Sequence, residues 1–242
     1  MTTEEIERML SDASEELSSK PSNLKKLGID EIALKKGQGN YCAVLIDLET
    51  SKLMTIICGR TQAEIDPVLK SWGSEVLEKI EEVSIDLWMG YKTLVKKLMP
   101  NVQVVADRFH VMLQVNKELD TQRKRERKQV IDLDKKSKSP KNQAEYQQKL
   151  SGISKSKYAL LKNEENLNEQ QKLKLMAVKK LCPSLAKMPK LKEKFRKIFE
   201  NKKTNWFRGL LRIGIWHQRA KQYFPETVNT ITNWHKGDNC LL

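Results

Sequence analysis

The sequence is poor in the residues that mark several classes of protein. It holds 10 glycines and 7 prolines among 242 residues, too few for a collagen-like or low-complexity chain. No apolar run approaches the ~18 residues that a membrane-spanning helix needs. Met1 is followed by Thr-Thr-Glu-Glu rather than by a basic and then an apolar stretch. No secretory signal is visible, and a cytosolic chain is expected. The four cysteines, Cys42, Cys58, Cys182 and Cys240, form no CxxC pair and have no histidine at ligand spacing. That argues against a zinc site and fits a reduced, intracellular chain. Cys42 and Cys58 lie in apolar runs and read as buried thiols.

What the sequence has in excess is positive charge, and it is unevenly placed. The net charge is +14. Residues 1–110 carry 14 basic and 18 acidic side chains, whereas residues 111–242 carry 31 and 13, a sum of +18. A half this basic attracts polyanions, of which nucleic acid is the usual one; a solvated lysine-rich helical surface has the same composition. The run Arg123-Lys-Arg-Glu-Arg-Lys128 wraps a helix almost completely. Arg123, Lys124, Arg125, Arg127 and Lys128 therefore suit phosphate contacts that do not read sequence, or plain solvation.

The hydrophobic pattern also changes near residue 110. Lys26–Ile32, Tyr41–Asp47 and Leu53–Cys58 are apolar runs of strand length joined by short polar turns, which predicts an antiparallel meander. Thr61-Gln62-Ala63-Glu64 fits a capping box, with Asp66 as N-cap and Pro67 at N1 as an alternative start. Ile65, Val68, Leu69, Trp72, Val76 and Ile80 follow at helical spacing, weakened by Gly73. Val83–Leu87 reads as a fourth strand, Tyr91–Met99 as a helix and Val102–Ala106 as a fifth strand. From Phe109 the spacing is helical again. The order β-β-β-α-β-α-β-α implies a mixed five-stranded sheet with helices on its faces. Beyond it only helical and loop signals appear. Lys135–Lys141 reads as a loop and Tyr158–Leu181 as one or two amphipathic helices. Pro183 and Pro189 are breaks, and Leu191–Phe199 and Trp206–Tyr223 are further helices. Trp206, Phe207, Trp216, Tyr223 and Trp234 could stack on unpaired bases but at this spacing read as core. His217 and His235 have no evident partner.

Three aspartates hold comparable places. Asp30 and Asp86 lie in the first and fourth strands, and Asp107 ends the fifth, in Asp107-Arg-Phe-His110. A carboxylate within an apolar strand is costly unless it is hydrogen-bonded, paired or bound to metal. Several on neighbouring strands suggest convergence on Mg²⁺ or Mn²⁺, which hard oxygen ligands suit. Three separate strand-end caps are the plainer reading. Glu31 should point to the opposite face from Asp30.

The blocks Leu27–Gly37, Tyr41–Asp47, Gly59-Arg60-Thr61, Asp86-Leu-Trp-Met-Gly-Tyr91 and Val105–Val111 together resemble the catalytic core of bacterial insertion-sequence DDE transposases of the ISL3 type, over about residues 25–235. The resemblance implies an RNase H-like α/β fold and cut-and-join phosphoryl transfer on transposon-end and target DNA with two divalent cations, Mg²⁺ or Mn²⁺. Asp30 and Asp86 match the first two catalytic, metal-binding carboxylates. Asp107 and His110 match the family's Asp-Arg-Phe-His block as accessory candidates, His110 as a possible contact to DNA or phosphate. The partners implied are DNA and a second copy or a full-length transposase, with no membrane, in the bacterial cytoplasm at the nucleoid.

The sequence also departs from the family. No Glu-Gly-x-Asn block for the third carboxylate occurs in these residues, and Lys236–Leu242 reads as a premature stop or a shifted frame. Residues 1–20 read as a helical lead-in, where the family has a zinc ribbon and helix-turn-helix. The expectation is thus a fragment, with a lead-in at 1–20, a catalytic core at 21–118 and a basic all-helical insertion at 119–242. It should be inactive alone and expose apolar surface where it lacks a neighbour. The alternatives are a non-catalytic DNA-binding or regulatory remnant, or another RNase H-like nuclease with Asp107 completing its acid set.

Overall fold

The computed structural model describes residues 4–5, 8–9, 21–33, 41–200 and 206–235. Of the expected lead-in at 1–20, the four described residues are helical and the remainder lies outside the described set, as do the side chains of Trp206 and His235. The chain forms two compact units. One comprises Met1–His110 with Asn233–Leu242, the other Val111–Thr232.

In the first unit β1 (Lys26–Ala33), β2 (Tyr41–Asp47) and β3 (Lys52–Cys58) form the antiparallel meander. The β2–β3 turn is closed by Asp47, whose carboxylate accepts from the Glu49 N–H at 2.9 Å and the Thr50 hydroxyl at 2.7 Å, the local bonding that makes aspartate a turn residue. After α1 (Gln62–Ser71) and α2 (Ser74–Leu77), β4 (Glu82–Ile85) adds to β1 in parallel. After α3 (Met89–Leu98), β5 (Gln103–Ala106) adds to β4, also in parallel. The order is β3-β2-β1-β4-β5, an RNase H-like mixed sheet. Register partners share a face, and one face takes Leu27, Ile29, Leu45, Val83, Ile85, Val104 and Ala106, each at most 2% exposed. At about 1.5–3 kcal/mol per large buried side chain, this row and the buried Ile65, Leu69, Leu94 and Val95 of α1 and α3 stabilise the sheet.

Several local expectations are corrected. The alternative start at Asp66 and Pro67 is not used: Pro67 lies inside α1, whose N-cap is Thr61, with the expected capping box to Glu64. The single helix expected through Ile80 is divided at Gly73, whose φ of 87° starts α2. β4 stops at Ile85 and β5 at Ala106, so Asp86 and Asp107 stand just past their strands. Cys42 is buried, but Cys58, the last residue of the edge strand β3, is exposed.

The second unit is helical. α4 (Arg108–Lys136) enters it from the first unit, and α5 (Pro140–Ile153), α6 (Lys157–Leu161), α7 (Glu169–Leu181), α8 (Pro183–Glu200), α9 (Trp206–Ala220) and α10 (Pro225–His235) follow. The expected loop at Lys135–Lys141 shrinks to residues 137–139. Pro183 opens α8, where its missing N–H costs nothing. Pro189, expected to break the chain, is buried within α8. Its lost hydrogen bond is offset by packing, since α8 also buries Leu185, Met188, Leu191, Phe195 and Ile198. The core centres on Trp216, whose ring lies 4.4 Å from Phe195 and 6.1 Å from Phe224 and whose Nε1 donates to the Leu191 carbonyl at 2.8 Å. Trp216 and Trp234 are core, as expected, whereas Phe207 is exposed. His217 does have a partner, the Thr232 hydroxyl at 2.9 Å. Exposed apolar side chains are present, among them Leu173, Met176, Phe207, Leu211 and Ile215.

Candidate metal centre

The parallel strands set the geometry of the site. Ile29 pairs with Ile85, and Ile85 with Ala106. The next residues along are Asp30, Asp86 and Asp107, so the three aspartates stand in one row across the sheet, Asp30 within β1 and Asp86 and Asp107 just past the C-terminal ends of β4 and β5. The ladder reaches this row, since the Asp107 N–H donates to the Ile85 carbonyl at 2.7 Å. Each carboxylate takes a nearby backbone N–H: Glu31 to Asp30 at 2.7 Å, Trp88 to Asp86 at 2.6 Å and Phe109 to Asp107 at 2.9 Å. To this extent the strand-end caps are real.

Two further features exceed capping. Asp107 immediately precedes α4, and His110 lies three residues on, the spacing that brings a side chain in the first turn back to the cap. His110 Nε2 is 3.6 Å from Asp107 Oδ2 and 3.2 Å from Asp30 Oδ1. Ligand atoms of Asp30, Asp107 and His110 all lie within 4.8 Å of one another. Two carboxylates this close repel unless a cation or a protonated imidazole stands between them. The donor set, two hard oxygens and one imidazole on half-open side chains, fits a divalent cation, and Mn²⁺ more readily than Mg²⁺ because of the nitrogen.

Asp86 is outside that trio. It is buried, 9% exposed. Burial pushes its carboxyl pKa upward; the Trp88 N–H pulls it down, Glu31 raises it, His110 lowers it and Asp30 raises it again. The net shift is upward, so the ionised form is held at a cost, with one oxygen fixed by Trp88.

Two further side chains, Tyr91 and Arg60, also belong here. Tyr91 is fully buried, its hydroxyl has no hydrogen-bond partner among the described residues, and burial together with Glu31 and Asp86 pushes its pKa up. Arg60 Nη1 reaches both oxygens of Glu31 at 3.0 Å, with its guanidinium 4.0 Å above the Tyr41 ring. Glu31 is thus an ion-pair partner. The preceding Gly59 explains the Gly-Arg-Thr block. Its φ is 109°, and a Cβ there would fall 2.0 Å from the Glu64 carboxyl carbon. The signal for both residues lay in the spacing of Asp86–Tyr91 and of Gly59–Thr61.

Of the basic candidates on α4, Arg123 and Lys124 bind Asp120 at 2.8 and 2.9 Å, while Arg125, Arg127 and Lys128 are exposed.

Residues 27–237 match the family model of a transposase, the DDE type of ISL3 elements. The chain belongs to the ISL3-type DDE transposase family. It is 30% identical over 211 residues to the transposase for insertion sequence element IS1557 of Mycobacterium tuberculosis, a match covering 83% of this chain and 47% of the relative. It is 24% identical over 217 residues to the transposase for insertion sequence element IS1001 of Bordetella parapertussis, covering 89% and 50%. This ISL3-type chain therefore spans about half the length of the curated relatives it matches. Among its described residues no helix is long and apolar enough to cross a membrane.

Proposed function

We propose that this chain carries the metal-binding core of a bacterial DNA transposase. In this reading Asp30 and Asp86 are the catalytic carboxylates, Asp107 and His110 complete the metal shell, and a basic helical domain (119–242) holds DNA while a catalytic domain (21–118) carries the chemistry. The reading rests most on one observation, the Asp30–Asp107–His110 cluster in one row with Asp86 across the parallel strands β1, β4 and β5. Bound divalent ions supply charge stabilisation for the attacking and leaving oxygens of phosphodiester exchange. The protein's own groups place them. Asp86 stands at the centre of the row, between Asp30 on β1 and Asp107 past β5. His110 holds Asp30 through Nε2, and the Trp88 N–H fixes Asp86. Arg125, Arg127 and Lys128 take the sugar–phosphate backbone of transposon-end or target DNA, in the bacterial cytoplasm at the nucleoid and in company with a second copy or a full-length transposase.

These 242 residues by themselves contain no match to the family's third carboxylate, and the proposal is that alone they join DNA ends poorly or not at all. A strand-transfer assay with the chain in Mg²⁺ or Mn²⁺ tests this, and robust joining would refute it. Mn²⁺ titration followed by electron paramagnetic resonance tests the site itself. Wild type should bind, while Asp30→Asn should bind at least tenfold more weakly; equal binding would remove the metal centre. The proximity of Asp107 and Asp30 favours a second reading, an RNase H-like nuclease with its own acid set, which predicts metal-dependent nicking by this chain that is lost in Asp107→Asn.

A further inference from the structure

The second unit holds a cavity that none of the above uses. It lies between α8 and α9, with a volume of about 300 Å³, the lower end of the range for small-ligand sites. Its floor is apolar: Leu191 and Ile198 from α8, Ile215 and an edge of Trp216 from α9. Its other described lining residues are the cations Lys194, Lys197, Arg212 and Arg219. Ile215 is 54% exposed, and with Leu211 and Phe207, also exposed, it forms an i, i+4, i+8 stripe along one side of α9. The apolar surface therefore runs out of the cavity beneath the basic rim.

An apolar floor under cations calls for a ligand that is flat and apolar at one end and anionic at the other. Duplex DNA offers only its charged backbone, because its bases are stacked away, and would leave the floor against water. An acidic helix would match the charge, but at a diameter of about 10 Å it is too wide to enter a cavity of about 300 Å³. We infer that this cavity binds an unpaired nucleotide of single-stranded DNA, with its base against Leu191, Ile198 and Ile215 and its phosphates on Lys194, Lys197 and Arg219. The faces of Trp216 are taken by Phe195 and Phe224, so the guanidinium groups of the rim, not the indole, are the base's π partners. This deepens the proposal that the helical unit handles DNA and rests on it, but it needs neither the metal nor the carboxylates.

The test is equilibrium binding of the full chain, in EDTA, to a short oligothymidylate and to an abasic sugar–phosphate strand of equal length and charge. The expected result is about tenfold tighter binding of the base-bearing strand, the order that base stacking supplies. Ile215→Lys adds a positive charge at an exposed position; it should bring the ratio near one without weakening the abasic strand. Arg125→Glu, on α4, should weaken both strands and keep the ratio. Equal affinities in the wild type, or a ratio unchanged by Ile215→Lys, would overturn the inference while leaving DNA binding intact. Failure to bind either strand would overturn both. A dimer seen by sedimentation and dispersed by Ile215→Lys would assign the groove to a second copy and overturn it as well.

Discussion

The carboxylate of Glu118 offers the sharpest test of how the helical unit is held. It is buried at 8% exposure on α4 and accepts three bonds at the start of α10, 108 residues away in the chain: the Glu226 N–H at 2.9 Å, the Thr227 N–H at 2.8 Å and the Thr227 hydroxyl. A helix start leaves its first N–H groups without intrahelical partners, and Pro225 has none to offer. Glu118 thus replaces a local cap, with its negative charge at the positive end of the helix dipole. Glu118→Ala leaves the N–H and hydroxyl of the fully buried Thr227 without a partner, at about 1–3 kcal/mol each. The exposed Glu226 can turn to water. A loss of about 3–5 kcal/mol follows, softened where water enters the space vacated by the side chain. Glu118→Gln keeps the shape and one acceptor and loses the charge, for about half as much. Urea denaturation followed by circular dichroism gives these numbers. A double-mutant cycle with Thr227→Val should show coupling of about 1–2 kcal/mol. If Glu118→Ala lies within about 0.5 kcal/mol of wild type, the long-range cap is wrong.

Three other outcomes follow from the same physics. Asp86→Asn should stabilise the protein at neutral pH: burial raises the folded-state pKa of Asp86, so wild-type stability falls as pH rises from the unfolded value through the folded one, and the advantage of asparagine should vanish below about pH 3.9. An advantage independent of pH would show that charge is not its cause. Gly59→Ala, at a φ of 109° and against the Glu64 carboxylate, should cost about 1–3 kcal/mol by thermal denaturation, and a neutral substitution would contradict the close approach. Replacing the exposed Arg125, Arg127 and Lys128 with alanine should flatten the slope of log affinity for duplex DNA against log salt by roughly 2–3; the same slope as wild type would place the DNA elsewhere.

Much of the sheet is legible because its strands are runs of aliphatic and β-branched residues. Tyr41–Asp47 is assigned to the residue, and β1, β3, β4 and β5 to within one or two. What escapes the sequence depends on context. Gly73 looks like a weak helical position, but its positive φ makes it a boundary. Pro189 looks like a breaker, yet its ring is buried in α8, where packing outweighs one hydrogen bond. Cys58 belongs to an apolar run, but the end of an edge strand has no neighbour to cover it. Glu118 cannot be read as a cap at all, because its partners are set by tertiary folding.

The site divides along the same line. Asp30, Asp86 and Asp107 stand out in the sequence because acids within or directly after apolar strands are costly, and the RNase H-like order places them in one row. Their roles differ for reasons the spacing alone does not contain. Asp107 and His110 are three residues apart at a helix start, a local relation, but their meeting with Asp30 requires β5 to lie two strands from β1 and the His110 imidazole to reach Asp30 across that distance. Asp86, between them in the sheet, is drawn instead into burial and fixed by Trp88. If capping were the whole role of these residues, each would need only the N–H it already has. The surplus consists of an imidazole between two carboxylates and a neighbouring acid whose ionised form is disfavoured by burial. A divalent cation would relieve both, since it offsets the repulsion within the cluster and favours the charged form of Asp86. Bound Mn²⁺ should therefore raise stability by an increment that shrinks in Asp30→Asn. A metal-induced shift of the same size in that variant would return all three aspartates to the status of caps.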